Sequence, residues 1–208
     1  RDCALLEAHG CDLVFHPSVE EMYAPNAATY VEILDEMPKQ LCGKTRPIHF
    51  RGVCTVVSKL FNIVQPDYAF FGQKDAQQLA IIRRMVRDLS FGVQIVACPI
   101  VRESDGLAKS SRNTYLNPEE RQAALCLSKA VFAGQAAAEE GQRDAKALLK
   151  LMAGIIEAEP LARIDYVSAV DGETMLPADE LTDGVLVAMA VYIGKTRLID
   201  NFIVGGLK

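Results

Sequence analysis

A short polar segment, Gly72-Gln73-Lys74-Asp75, carries residue types that suit phosphate binding. Gly72 allows the backbone to approach a ligand closely, and Lys74 can offer a point charge to a phosphate oxygen. The helix predicted to follow presents unpaired backbone N–H groups, which also attract anions. A structural alternative stays open, because Asp75 and Gln78 have the spacing of a capping box and most single lysines are simply solvated.

A second polar segment, Lys109-Ser110-Ser111-Arg112-Asn113, follows the turn residues Asp105 and Gly106. Two hydroxyl groups offer neutral hydrogen bonds, and the arginine fork suits the oxygens of a polyphosphate. Ser, Arg and Asn are also common in ordinary surface turns, so an unremarkable loop is the alternative. Taken together, the two segments favour a nucleotide site at the edge of an α/β domain.

Histidine and cysteine give weaker signals. His49 stands at the entry of a predicted helix, where it could contact a ligand or act as an acid, although such histidines are more often structural. The three histidines and six cysteines include no pair at metal-ligand spacing and no C-x-x-C motif. We therefore expect no metal-binding residues and no disulfide framework, and we expect mostly buried thiols in a reducing compartment.

Composition narrows the class of protein. The chain has 208 residues, of which 50% are hydrophobic and 24% charged, and these values exclude disorder and fibrous repeats. The net charge of -5 argues against nucleic-acid coating, and no apolar run approaches the roughly 20 residues that cross a bilayer. We expect a globular cytoplasmic protein with small-molecule partners, and no nucleic-acid or membrane partner.

The first part of the chain, residues 1–103, alternates predicted helices and strands. A buried apolar strand, a helix with Leu79 and Ile82 on one face, and a second strand form a βαβ unit, whose parallel pairing places helices on the sheet faces. This part is therefore predicted to be an open α/β domain. The predicted helices are 1–10, 52–64 and the stripe from Leu79 to Leu89; the predicted strands are 11–15, 29–33, 67–72 and 93–101.

The second part, residues 104–208, has a different character. Asn117 and Pro118 form a typical helix start, and an Ala-rich helix runs from there to about residue 140. A second helix is predicted over 144–159, with Leu148, Leu151, Met152 and Ile155 on one face. Three strands follow, joined by Asp-Gly and Ile-Gly turns, which predicts a smaller α+β domain with an antiparallel sheet. The predicted strands are 164–170, 185–193 and 197–204.

Five groups of residues, taken in order, closely resemble the pantothenate synthetase (pantoate:β-alanine ligase) family. They are His49-Phe50-Arg51-Gly52-Val53; Gln65-Pro66-Asp67; Phe71-Gly72-Gln73-Lys74-Asp75 with Gln77-Gln78-Leu79; Asp105-Gly106-Leu107-Ala108 with Ser110-Ser111-Arg112-Asn113; and Arg197-Leu198-Ile199-Asp200-Asn201. The resemblance runs from end to end. It implies an incomplete Rossmann-like nucleotidyltransferase domain followed by a smaller α+β lid domain, in a homodimeric cytoplasmic enzyme.

The reaction that the resemblance implies has two steps. A pantoate carboxylate attacks the α-phosphorus of Mg-ATP to give pantoyl adenylate and pyrophosphate, and the amine of β-alanine then displaces AMP. The implied partners are pantoate, β-alanine and ATP, with Mg²⁺ as a cofactor.

Site roles follow by position from the same resemblance. Lys74, Ser110, Ser111 and Arg112 are implied to be catalytic, because cations and hydroxyls aimed at the departing pyrophosphate favour the transition state. Gln78 matches a pantoate-binding glutamine. The lysine at position 109 departs from the family, which usually has an apolar residue there. The implied ATP-binding residues are Gly72, Gln73, Lys74, Asp75, Val101, Lys109, Ser110, Ser111 and Arg112, with Val101 meeting adenine through its backbone.

A second departure concerns the family's His-x-Gly-His motif, which holds the ATP phosphates and does not occur in these 208 residues. The chain also starts with Arg1, inside a predicted helix. We therefore expect a chain that lacks the family's N-terminal segment and is inactive, or nearly so, on its own. Two alternatives stay open: a non-catalytic small-molecule-binding fragment or paralogue that retains the dimer surface, and another adenylate-forming or nucleotide-transferring enzyme of the same fold.

Overall fold

The computed structural model describes residues 2–206. One compact unit ends at Tyr30 and a second begins at Val31. The first unit holds helix α1 (Asp2–Ala8) and the single turn α2 (Val19–Met22). Helix α1 confirms the helix predicted at the start of the chain, and the chain leaves it through Gly10 at a φ of 76°. Arg1, the first residue of that prediction, lies outside the described residues.

Two strands predicted near the start of the chain are wrong. Residues 11–15 form no strand, and Leu13 is 84% exposed. Residues 29–33 also form no strand, and the Val31 amide donates instead to Oγ1 of Thr55 at 3.0 Å. A strand is stabilised by the ladder and the side-chain pairs of a neighbour, and no strand among the described residues pairs with either segment.

The second unit contains five helices and five strands in the part of the chain that the structure describes. The helices are α3 (His49–Val64), α4 (Ala76–Asp88), α5 (Pro118–Ala123), α6 (Leu125–Glu139) and α7 (Ala145–Glu157). The strands are β1 (Tyr68–Gly72), β2 (Gln94–Cys98), β3 (Ala162–Asp171), β4 (Val185–Ile193) and β5 (Thr196–Ile203). Short 3₁₀ turns cover Met37–Lys39, Leu41–Lys44, Gln73–Asp75 and Ser111–Tyr115.

Strands β1 and β2 pair in parallel and are joined by α4, which confirms the predicted βαβ unit. Burial of β1 is one-sided, whereas a buried strand was expected. Ala69 and Phe71 pack against the core that contains residues of α3 and α4, whereas Tyr68 is 57% and Phe70 67% exposed. The difference arises because successive side chains of a strand point to opposite faces, and these helices cover one of them.

Strands β3, β4 and β5 form an antiparallel sheet in that order, as predicted. Strand β4 reads as an unbroken apolar run because both of its faces are buried. Val187 and Met189 belong to the core that contains residues of α6 and α7, whereas Leu186 and Ala188 belong to the core that contains residues of α3 and α4. The sheet therefore lies between two hydrophobic cores.

Helix boundaries after residue 104 follow the sequence closely. Asn117 accepts a hydrogen bond from the Glu120 amide at 2.8 Å and completes a capping box. The predicted Ala-rich helix is divided at Ala124 into α5 and α6. Of the apolar face predicted for α7, Leu148 and Met152 are buried, but Leu151 is 44% exposed.

The architecture is thus a Rossmann-like parallel sheet with helices, followed by a smaller part built on a three-stranded antiparallel sheet. The division near residue 103 stays a prediction. Residues 207 and 208, the last of the predicted second domain, lie outside the described residues.

Candidate nucleotide-binding site

A cleft opens beside β5, where the polar segments predicted to bind phosphate approach the antiparallel sheet. Its walls come from the start of α3, the turn before α4, the first residues of α4, and the strands β3, β4 and β5. Four predicted site residues line it: Lys74, Asp75, Gln78 and Arg112. The structure therefore brings residues of both polar segments, Lys74 and Asp75 of the first and Arg112 of the second, to one cleft.

The first segment is fixed by a side chain of β5. The Asn201 Nδ2 group donates to the carbonyl of Gln73 at 3.1 Å and to that of Lys74 at 2.9 Å. Gln73 is itself only 5% exposed and lines a neighbouring groove rather than the cleft. The Lys74 ammonium forms no ion pair with any residue in the range 2–206, so its charge is available to a ligand.

The capping box predicted for Asp75 and Gln78 is wrong. Asp75 precedes α4, but its side chain accepts no capping hydrogen bond. An N-cap residue normally has an extended backbone, whereas Asp75 (φ -95°, ψ 55°) leaves a 3₁₀ turn. Both Asp75 and Gln78 line the cleft.

The second segment is held mainly by local contacts. The Ser110 hydroxyl accepts from the Arg112 amide at 3.2 Å, and the Lys109 amide donates to the Val101 carbonyl at 2.9 Å. Arg112 is exposed and lines the cleft, but Val101, Lys109, Ser110 and Ser111 do not. Gly72, like Gln73, also lies outside the cleft lining. The ATP-binding roles of these six residues stay predictions.

Several residues with cationic side chains line the cleft. Burial lowers the pKa of His49, and the charges of Arg46 and Arg112 lower it further, against an opposing effect of Asp75. The lowered pKa favours the neutral form of His49 at neutral pH, and Arg46, Lys74 and Arg112 supply positive charge to the cleft. Such a group of cations suits a polyphosphate.

A partly buried polar cluster at the cleft was missed by the sequence reasoning. Arg197 donates to Asp165 from Nε at 2.9 Å and from Nη2 at 2.8 Å, and both Nη atoms lie 3.6 Å from the Cys42 sulfur. Burial opposes the charge of Arg197, but the hydrogen bonds to Asp165 and Cys42 outweigh it and raise the guanidinium pKa. Burial chiefly raises the pKa of Tyr166, whose hydroxyl lies 3.4 Å from the same sulfur.

Only part of that cluster carries a signal in the sequence. Arg197 belongs to a segment that resembles the family, although no role was assigned to it. Cys42 and Tyr166 are 124 residues apart, so no local pattern could have paired them. Arg46 was likewise missed, although it stands only three residues before His49.

Cysteine burial is less general than expected. Cys54 and Cys126 are buried, and burial raises the pKa of each thiol to about 11. Cys3 and Cys11 are exposed. Within residues 2–206, no three His, Cys, Asp or Glu side chains are grouped so that they could hold a metal ion. No helix in the same range is both long and apolar enough to cross a bilayer.

Comparison with known proteins gives one consistent family. The family model described as Pantoate-beta-alanine ligase matches residues 1–203. A pantothenate synthetase of Ruminiclostridium cellulolyticum is 57% identical over 202 residues, which are 97% of this chain and 72% of that protein.

Solved structures agree with this result. A pantothenate synthetase from Thermus thermophilus superposes with a TM-score of 0.93 at 45% identity, covering 98% of this chain and 73% of the other. A pantoate-beta-alanine ligase from Francisella tularensis, complexed with beta-gamma ATP and beta-alanine, has a TM-score of 0.75 at 29% identity. That match covers 99% of this chain and 70% of the other.

Proposed function

This chain belongs to the pantoate-beta-alanine ligase family, and we propose that it joins pantoate to β-alanine with ATP through a pantoyl-adenylate intermediate. The ligase class follows from the family. The observation that supports the proposed site most is that Lys74, Gln78 and Arg112, drawn from two separate segments, line a single cleft.

The proposed chemistry balances in two steps. In the first, a carboxylate oxygen of pantoate attacks the α-phosphorus of ATP, a new P–O bond forms, and the bond to the β-phosphate oxygen breaks to release pyrophosphate. In the second, the β-alanine amine attacks the acyl carbon, a C–N bond forms, AMP leaves with the former acyl oxygen, and the amine loses a proton. Adenylation is required because AMP is a far better leaving group than oxide.

The cations of the cleft act on the first step. Negative charge builds up on pyrophosphate as it leaves, so Lys74 and Arg112 stabilise the transition state more than the ground state. Ser110 and Ser111 add neutral donors when the second segment moves over the phosphates, because in the described conformation they lie outside the cleft. Such closing movements of loops are common in enzymes.

The remaining roles concern binding. Gln78 lines the cleft and is proposed to hold pantoate through its amide. Gly72, Gln73 and Asp75 form the turn that receives ATP, and the Val101 backbone meets adenine. Lys109 either adds a phosphate contact through its side chain or binds ATP through its backbone.

The metal ion, assembly and location complete the proposal. Mg²⁺ arrives with ATP as the substrate complex and is held through phosphate oxygens, which suit this hard cation. The family resemblance supports a homodimer in the cytoplasm. A light-scattering mass of twice the chain mass is the expected result, and a concentration-independent monomer would contradict the dimer.

Activity of the 208 residues alone is expected to be low or absent, because they contain no His-x-Gly-His motif to hold the phosphates. Assays therefore use both this chain and the complete gene product. A turnover rate of this chain like that of a full-length relative would contradict the expectation.

The adenylate is tested by isotope exchange. With pantoate and Mg-ATP present and β-alanine omitted, the enzyme should exchange labelled pyrophosphate into ATP, and the exchange should stop when pantoate is removed. Absence of pantoate-dependent exchange in an enzyme that still makes pantothenate would exclude the intermediate. Binding of pantoate or ATP without turnover in the complete gene product would favour the non-catalytic alternative.

A further inference from the structure

We propose that Arg102, Asp200 and Asn201 are positioning residues that fix the first polar segment of the cleft and anchor the turn from which the second segment extends. The proposal rests on the proposed function, because those segments are the ones assigned to the ATP phosphates. It adds a role for three residues that contribute no group to the proposed phosphate contacts.

The first contact joins β5 to the turn before α4. Asn201 is only 3% exposed, and its Nδ2 donates to the carbonyls of Gln73 and Lys74. Its Oδ1 lies 3.4 Å from Nε2 of Gln73, which donates to it. Both ends of the amide are therefore engaged with the segment that carries Lys74.

The second contact joins β5 to the turn before the second segment. Asp200 is 1% exposed, and its two oxygens accept from Nη1 and Nη2 of Arg102 at 2.7 and 3.0 Å. Arg102 Nη1 also donates to the Gly106 carbonyl at 3.0 Å. The guanidinium lies 4.9 Å from the centre of the Phe132 ring, which restricts it further.

One carboxylate oxygen connects the two contacts. Oδ1 of Asp200 accepts from Arg102 and also from the backbone amide of Asn201 at 2.9 Å. A continuous series of hydrogen bonds and one residue of backbone thus links the Gly106 carbonyl to the Lys74 carbonyl. The ion pair is largely buried, so loss of one partner would leave the other charge uncompensated.

The arrangement matters because the proposed cations come from different segments. Stabilisation of a transition state depends on donors held to within a fraction of an ångström, and a displacement of about 1 Å can lower a rate by about a hundredfold. Strand β5 is a rigid support for this purpose, since it is paired along its length with the buried strand β4.

The kinetic test is a double-mutant cycle in the complete gene product, measured as pantoate-dependent pyrophosphate exchange. N201D removes both amide donors at constant size, and we expect kcat to fall roughly tenfold or more while the KM for ATP changes less than about threefold. In a K74A background the same change should lower kcat less than about twofold, because Asn201 acts through Lys74. N62D, on the exposed part of α3, is the matched control.

A second measurement needs no activity and separates the two proposals. N201S, a smaller change in case N201D does not fold, should speed amide hydrogen exchange in Gln73–Asp75 of the 208-residue chain. D200N should speed amide hydrogen exchange in Gly106–Lys109. The control variant N62S should leave the exchange of both segments unchanged. Unchanged exchange in both segments, or additive effects of N201D and K74A, would overturn the positioning role. The ATP role of Lys74, and not the positioning role, would be overturned by a different pair of results. These are a normal rate of pyrophosphate exchange in K74A together with faster amide hydrogen exchange in N201S.

Discussion

The two polar segments of the cleft differ in how they are held. Residues 72–75 sit between a strand and a helix, and Asn201, a buried residue distant in sequence, fixes their backbone. Residues 109–112 are mostly exposed and depend on short-range bonds, such as the one from the Arg112 amide to Ser110. Segments with few buried contacts open and move most easily. The difference in these contacts indicates that the segment proposed to bind phosphate is fixed, and that the segment proposed to close over it is free to move.

The largest loss of adenylation rate is expected from a substitution in the fixed segment, residues 72–75. K74A in the complete gene product should lower the adenylation rate by roughly tenfold to a thousandfold, the range seen when a transition-state donor is lost. Pyrophosphate exchange at saturating substrates measures it, with K150A on the exposed face of α7 as the control. An unchanged rate would remove Lys74 from the mechanism and break the comparison.

A smaller effect is expected at the movable segment. R112A should lower the adenylation rate roughly tenfold, because the segment contributes its charge only when closed, and R112K should recover part of it through charge without the planar fork. The ratio of the two rates sharpens the comparison. A loss in R112A that exceeds that in K74A would mean that the second segment, and not the first, is the principal phosphate site.

Two adjacent glutamines allow a matched test of binding against folding. Q78A should raise the KM for pantoate several-fold, roughly the loss of one hydrogen bond, and leave the KM for ATP nearly unchanged. Q77A should instead lower the stability by about 1–3 kcal/mol, because buried Gln77 bonds the Cys42 amide and the Met37 and Gln40 carbonyls. Steady-state kinetics and urea unfolding separate the two. Equal weakening of ATP and pantoate in Q78A would contradict a selective contact.

The smallest effect concerns pH. The folded-state pKa of His49 lies below its ordinary value of 6.5, so the unfolded chain binds a proton more readily than the folded one. This contribution to stability is complete above pH 6.5 and is lost as the pH falls below that value. Urea midpoints at pH 7.5 and 5.5 should differ less in H49Q than in the parent chain. An equal difference would show that His49 does not contribute.

Local patterns predicted the elements that are stabilised locally or by sequence neighbours. The βαβ unit and the three antiparallel strands follow from periodicity and turns, and the Asn117 capping box follows from four adjacent residues. The strand predicted over residues 11–15 fails because a strand also requires a neighbour, which an apolar run does not specify.

Candidate site residues were predictable to a similar extent. Lys74 and Arg112 were selected by residue type and segment; both line the cleft, and their roles stay proposals. The capping box at Asp75 fails because the backbone before α4 is a 3₁₀ turn. The contact of Asn201 with Gln73 joins residues 128 positions apart, and the contact of Arg197 with Cys42 joins residues 155 positions apart. Only the folded chain reveals them.

The most direct test of the account is AMP release with Mg-ATP, pantoate and β-alanine, with each omitted in turn, by the 208-residue chain and by the complete gene product. The account predicts release by the complete gene product that needs both pantoate and β-alanine, and little or none by the 208 residues alone. Release that is independent of β-alanine or of pantoate, or no release by either protein, would contradict it.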